Sequence, residues 1–153
     1  MELTSIPTAA GQEWRVVAWI EAWAKKQNGV TLKKDKFGNL LVTQTRKSTK
    51  KPIYITAHLD HPAFVVRKQI DEMHLEMEFR GGVNDAYFVG AKVEVFDNED
   101  NGYVGTIQSL DAKAKPFKRV VVKLRKGVAG ILIKNDIARW KFNPPVVKGG
   151  LLH

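Results

Sequence analysis

The sequence predicts an α/β fold: a partial mixed sheet with an N-terminal helix, carrying an inserted small antiparallel β-barrel. Three observations predict it. An apolar stripe at helical spacing opens the chain, a nearly unbroken apolar run occupies Pro52–His58, and period-two alternation sets in after Pro62.

The helix is expected over Gly11–Asn28. Val16, Trp19, Ile20 and Trp23 form its apolar stripe, with Trp14, Val17, Ala18 and Glu21 on one flank. The tryptophans read as core packing, because their spacing alone accounts for them. Lys25 and Lys26 suit the negative end of the helix dipole, and Gly29 suits its stop. Val30–Lys34 and Asn39–Thr45 follow as strands joined by Asp35-Lys36-Phe37-Gly38-Asn39. In such a turn Asp and Asn bond the local backbone and Gly accepts positive φ. Arg46–Lys51 is a polar loop. Pro52–His58 then has the most buried character, apolar without alternation, as in a central strand covered on both faces.

Beyond Pro62, Ala63–Ile70 and Met73–Arg80 flank a turn at Asp71-Glu72. His74, Glu76 and Glu78 alternate with Met73, Leu75, Met77 and Phe79, which marks a sheet wet on one side. Ala91–Phe96, Gly102–Ser109, Lys118–Leu124 and Gly130–Lys134 continue the pattern between turns at 97–102 and 125–127. Short strands with regular turn signals predict a barrel. The domain reading is therefore 1–66 for the beginning of the α/β domain, 67–147 for the inserted barrel, and 148–153 for a return segment.

An apolar fraction of 44% in 153 residues suits one domain, or one domain with an insertion. The absence of cysteine excludes disulfides, thiolate zinc sites and thiol nucleophiles. The net charge of +9 is concentrated in two stretches: Lys33–Lys51 holds seven Lys/Arg against Asp35, and Lys113–Lys126 holds seven without an acid. They read as solvated lysine faces; only Phe37 interleaves the first, which argues against nucleic acid as a partner. No stretch approaches the roughly 20 apolar residues of a membrane span. Met1-Glu2-Leu3-Thr4 also lacks a signal peptide's character. A cytoplasmic protein with no membrane partner is expected.

The chemistry points to His58-Leu59-Asp60. Residues at i and i+2 of an extended segment face the same way, so both side chains can address one pocket. A metal-bound imidazole usually has its second nitrogen held by a carboxylate, and Asp60 is the local one. Taken alone, His-x-Asp is also a common polar pair. His61 beside Pro62 reads as a surface histidine, His74 as solvent-exposed, and His153 as a terminal residue. Asp71, Glu72, Asp97, Glu99, Asp100 and Asp111 fall in turns, where local hydrogen bonding accounts for them. There is no Gly-x-Ser-x-Gly elbow, and Arg80-Gly81-Gly82 lacks the partners of a phosphate loop.

Several stretches in order carry a resemblance: Ser5-Ile6-Pro7-Thr8 with Gly11 and Glu13, Asp35-Lys36-Phe37-Gly38-Asn39-Leu40, and Ala57-His58-Leu59-Asp60 followed by Phe64. Arg80-Gly81-Gly82, Val89-Gly90, Gly102-Tyr103-Val104-Gly105 and Val147-Lys148-Gly149-Gly150 extend it. With these, the chain resembles the N-terminal portion of the co-catalytic di-zinc aminopeptidases of the glutamyl aminopeptidase and tetrahedral aminopeptidase type. The resemblance implies a truncated zinc-peptidase fold, with His58 as ligand to one zinc. Asp60, counted with the catalytic residues, would steer that imidazole. It implies two zinc ions in the complete site, peptides as substrates, and homo-oligomers assembled through the barrel. The family's bridging aspartate, glutamate base and remaining ligands would fall beyond His153, so little or no zinc and no peptidase activity are expected of this chain. The alternatives are a non-catalytic assembly or regulatory module derived from that family, and a basic nucleic-acid-binding barrel.

Overall fold

A computed structural model of the chain describes residues 2–45, 51–141, 147–148 and 151–152. The chain divides into two compact units, Met1–Asp60 and His61–His153. Among the described residues no helix is long and apolar enough to cross a membrane.

The first unit holds one helix and one hairpin. Helix α1 (Trp14–Lys26) ends on Lys25 and Lys26, as the dipole favours, and Gly29 turns the chain with φ +75°. Strands β1 (Val30–Lys34) and β2 (Leu40–Gln44) pair antiparallel, with Val30 opposite Gln44 and Lys34 opposite Leu40. Their turn is caged by Asp35. Its Oδ1 accepts the backbone N–H groups of Phe37 and Asn39 at 2.8 and 2.9 Å, and its Oδ2 accepts the Asn39 side-chain amide at 2.8 Å.

Two expectations for this unit are corrected. The tryptophans do not all pack into a core: Trp14 is 47% exposed and Trp23 38%, while Val16 and Ala24 are the apolar helix residues that are buried. One helix and one hairpin offer too little facing surface to cover the stripe. Pro52–His58 is not a buried strand either. Residues 51–60 form no regular element, and Ile53 and Ile55 are 90% and 93% exposed. A strand needs a ladder, and among the described residues none pairs with this segment.

The second unit is a closed antiparallel barrel of six strands in the order β3-β4-β7-β6-β5-β8. These are β3 (Ala63–Gln69), β4 (His74–Arg80), β5 (Lys92–Phe96), β6 (Gly102–Asp111), β7 (Lys118–Leu124) and β8 (Ile137–Trp140). Alternation in β4 sends Leu75, Met77 and Phe79 inward. Phe64, Phe79, Phe88 and Trp140 meet at the centre, every pair of rings 4.7 to 6.0 Å apart. Gly105 lets β6 and β7 approach, since a Cβ there would lie 2.6 Å from Val122 Cγ1 and 3.0 Å from the Lys123 carbonyl. Because β3 and β8 pair antiparallel with Phe64 opposite Ala138, the chain comes into and leaves the barrel at the same end.

Gly130–Lys134 is turn rather than strand. Gly130 and Asn135 take φ +71° and +79°, and Asp136 Oδ2 accepts the Ile133 N–H at 2.8 Å, so turn chemistry overrides the apolar alternation. A last pair, β9 (Val147–Lys148) and β10 (Leu151–Leu152), lies antiparallel in the segment 148–153 and just before it. Arg46–Lys50 and His153 lie outside the described residues.

Candidate metal-ligand segment

His58 and Asp60 sit on the irregular segment that closes the first unit. The His58 ring is 81% exposed and the Asp60 side chain 34%. Nδ1 of His58 lies 3.0 Å from Asp60 Oδ1 and 3.0 Å from the Asp60 backbone carbonyl oxygen. Both partners are acceptors, so in the neutral ring this geometry places the proton on Nδ1 and the lone pair on Nε2. An imidazole in that tautomer, held by a carboxylate, is chemically ready to ligate a divalent cation through Nε2.

The segment is tied to the beginning of the chain by Thr8, whose Oγ1–H donates to the Leu59 carbonyl at 3.3 Å. No local sequence pattern signals this pairing. The two residues are 51 positions apart, and a Ser/Thr contact across such a span has no local pattern.

The other histidines are placed elsewhere. His61 is exposed and opens the second unit. His74, expected to be solvent-exposed, is half-buried: its side chain is 32% exposed, and Nδ1 lies 2.9 Å from the Asp71 carboxylate. Asp71 Oδ1 also accepts the Met73 and His74 N–H groups at 2.8 Å, and these bonds hold its carboxyl below the usual carboxylate range. The turn is thus built around that carboxylate, which draws the ring in.

The remaining turn carboxylates are satisfied locally. Asp111 accepts the Lys113 and Ala114 N–H groups. Asp97 accepts those of Glu99 and Asn101 at 2.9 Å through Oδ1, and the Asn101 amide and the Tyr103 hydroxyl at 3.0 Å through Oδ2. Burial raises the Asp97 pKa, yet these hydrogen bonds outweigh it and hold the carboxyl below its ordinary value.

The donor set fits one zinc ligand with its orienting carboxylate. It does not fit a whole site: among the described residues there is no group of three or more His, Asp or Glu able to hold a metal ion. A catalytic zinc takes three protein ligands and an open position.

Comparison with known proteins agrees with the fold. Residues 38–123 match the family model described as M42 glutamyl aminopeptidase. YhfE of Bacillus subtilis (strain 168), a protein named as a proposed aminopeptidase, is 27% identical over 117 residues. That match takes in 76% of this chain and 34% of YhfE. Among solved structures, an aminopeptidase from the archaeon Desulfurococcus kamchatkensis superposes with a TM-score of 0.73 at 21% identity. It matches 97% of this chain and 43% of its own. The TET1 peptidase of Pyrococcus horikoshii does so with a TM-score of 0.72 at 22% identity, over 97% and 47%. The chain thus spans about a third to a half of the length of these relatives.

Proposed function

The chain belongs to the M42 glutamyl aminopeptidase family, and from that premise we propose that it is the part of a metal-dependent aminopeptidase bearing one zinc ligand and an assembly barrel. The observation that carries the reading is the His58–Asp60 pair, with Nδ1 engaged at 3.0 Å on a ring that is 81% exposed. His58 would hold one zinc through Nε2, and Asp60 would fix the ring's tautomer and angle and raise its basicity. In the complete enzyme the bound zinc ions supply Lewis acidity and a water acidic enough to attack a peptide carbonyl. The substrates are peptides, from which single N-terminal residues are removed. A cytoplasmic setting belongs to the same proposal.

One ligand does not make a catalytic centre, so the 153-residue chain is expected to be silent toward amino-acid p-nitroanilides in the presence of zinc. Robust turnover by the purified chain would overturn this reading.

A second reading, the assembly module, is favoured by a specific feature. The barrel closes on itself and receives and releases the chain at one end, which suits a module added without disturbing its host. The Pyrococcus horikoshii TET1 peptidase assembles into a tetrahedron or a large octahedral shell, and another structure of TM-score 0.70 is a dodecamer. By this reading the barrel pairs with further copies of itself, and sedimentation velocity reports association that rises with concentration. A strict monomer at high concentration would count against it. Nucleic-acid binding finds less support, because acids interleave the barrel's cations: Glu76 faces Arg67 at 3.5 Å, and Glu94 faces Lys141 at 2.6 Å. Oligonucleotide titration at about 0.15 M salt should show no saturable binding.

A further inference from the structure

We propose that Thr8 is a positioning residue for the His58 imidazole, acting through the Leu59 carbonyl; the inference rests on the reading of His58 as a zinc ligand. Thr8 is 3% exposed, and its hydroxyl donates to the carbonyl of the residue between His58 and Asp60. A buried hydroxyl needs a partner, and here that partner belongs to the segment that carries the ligand.

The segment has little else to hold its backbone. Residues 51–60 lie in no helix or strand, and among the described residues no backbone-to-backbone hydrogen bond reaches 52–59. The other end of the Thr8 bond is firm. Ala9 is fully buried, Ala9 and Gln12 form a bridge with Gln12 N–H on Ala9 O at 2.8 Å, and Gly11, at φ +78°, donates to Glu13 Oε1 at 2.7 Å just before α1. Thr8 therefore ties a free segment to a braced turn.

The consequence reaches the ring through one peptide plane. The Leu59 carbonyl and the Asp60 amide share that plane, so fixing the carbonyl fixes where Asp60 begins. Both acceptors on His58 Nδ1, the Asp60 carboxylate and the Asp60 carbonyl oxygen, hang from that residue at 3.0 Å. If the plane turns, both leave Nδ1 together, and the proton is no longer confined to that nitrogen. Nε2 is then no longer reserved for a metal. At 3.3 Å the Thr8 bond is long for an O–H donor, so its effect is on orientation rather than on gross stability.

The test is nitrogen-15 NMR of the histidine rings in the 153-residue chain, with His61 and His74 as internal controls. Wild type is expected to show His58 with its proton on Nδ1. Thr8→Val keeps the shape and loses the hydroxyl, and should abolish that preference while His74, held by Asp71, is unmoved; Thr8→Ser should restore it. Titration with zinc sulfate should perturb His58 before the controls, and Thr8→Val should need roughly 10-fold more zinc, as loss of an outer-shell partner commonly does. If Thr8→Val does not fold, Thr8→Cys, a much weaker donor, takes its place with the same expected loss. Unchanged tautomer and zinc response in the valine or cysteine variant would overturn the proposal. If wild-type His58 ignores zinc while its tautomer still follows Thr8, the ligand reading fails and Thr8's hold on the ring stands.

Discussion

The two units treat their apolar residues differently. The barrel unit gathers Phe64, Leu75, Met77, Phe79, Phe88 and Val93 into a core with almost no exposure. Among the described residues it leaves large apolar side chains exposed only in its connections, as at Tyr87 and Ile131. The first unit instead leaves Trp14 of its helix, Leu41 of its hairpin, and Ile53, Tyr54 and Ile55 in the open. Composition does not explain this, since both carry large apolar side chains. Closure does. Six strands return on themselves and need no further layer, but a hairpin, a helix and an unpaired run expose faces that only another layer could cover. Burial of a single Ile is worth about 1.5–3 kcal/mol, which Ile53 and Ile55 forgo here. The proposed site follows the same division: His58, the proposed ligand, and the carboxylate of Asp60 both belong to the first unit.

The comparison can be broken most dramatically by separating the units. Residues 61–141 alone are expected to unfold in one cooperative thermal transition, and residues 1–60 alone to show none; two equal transitions by calorimetry would erase the contrast. Next in size are truncations of large side chains. Phe79→Ala removes a ring that touches three others and should cost about 3–5 kcal/mol in denaturant unfolding. Trp23→Ala, 38% exposed, should cost under about 1 kcal/mol.

A finer contrast lies in two turns of the same design. Asp35-Lys36-Phe37-Gly38-Asn39 and Asp97-Asn98-Glu99-Asp100-Asn101 each use the first Asp to accept two backbone N–H groups and the side-chain amide of the last Asn. The fourth residue has positive φ in both, +91° at Gly38 and +65° at Asp100. Asp35 is exposed, while Asp97 is 7% exposed and also receives the Tyr103 hydroxyl. Asp97→Ala removes a buried acceptor shared by the turn amides and the half-buried Tyr103 hydroxyl and should cost about 1–3 kcal/mol, with Asp35→Ala clearly less. Equal losses would show that burial does not matter to this cage.

The smallest expected effect is with acid. The carboxyls of Asp35, Asp71 and Asp97 are all held below their usual value, so each contributes stability above the unfolded pKa, near 4, and loses it as pH falls through its lower folded value. Chemical denaturation between pH 5 and pH 2 should show a decline beginning below about pH 4, shallower in Asp97→Asn. A flat profile would contradict the direction of these shifts.

Much of this was legible in the sequence because it is local. The alternation of β4, the Asp-x-x-x-Asn turns and the helix with its terminal lysines depend on neighbours within a few residues. What was not legible depends on distant partners. The unbroken run at Pro52–His58 has the composition of a central strand, but composition does not supply the strand beside it. Gly130–Lys134 alternates like a strand until Asp136 and Gln69 claim its amides. The motif His58-x-Asp60 was visible at once, and its geometry places the carboxylate on the imidazole; the brace from Thr8, formed across 51 residues, was not.

The most direct test of the account is zinc K-edge absorption spectroscopy on the 153-residue chain loaded with substoichiometric zinc. One imidazole nitrogen at about 2.0–2.1 Å with otherwise oxygen ligands, lost in His58→Ala, is the expected result. Three or more imidazole nitrogens per zinc, or a spectrum indifferent to His58→Ala, would contradict it.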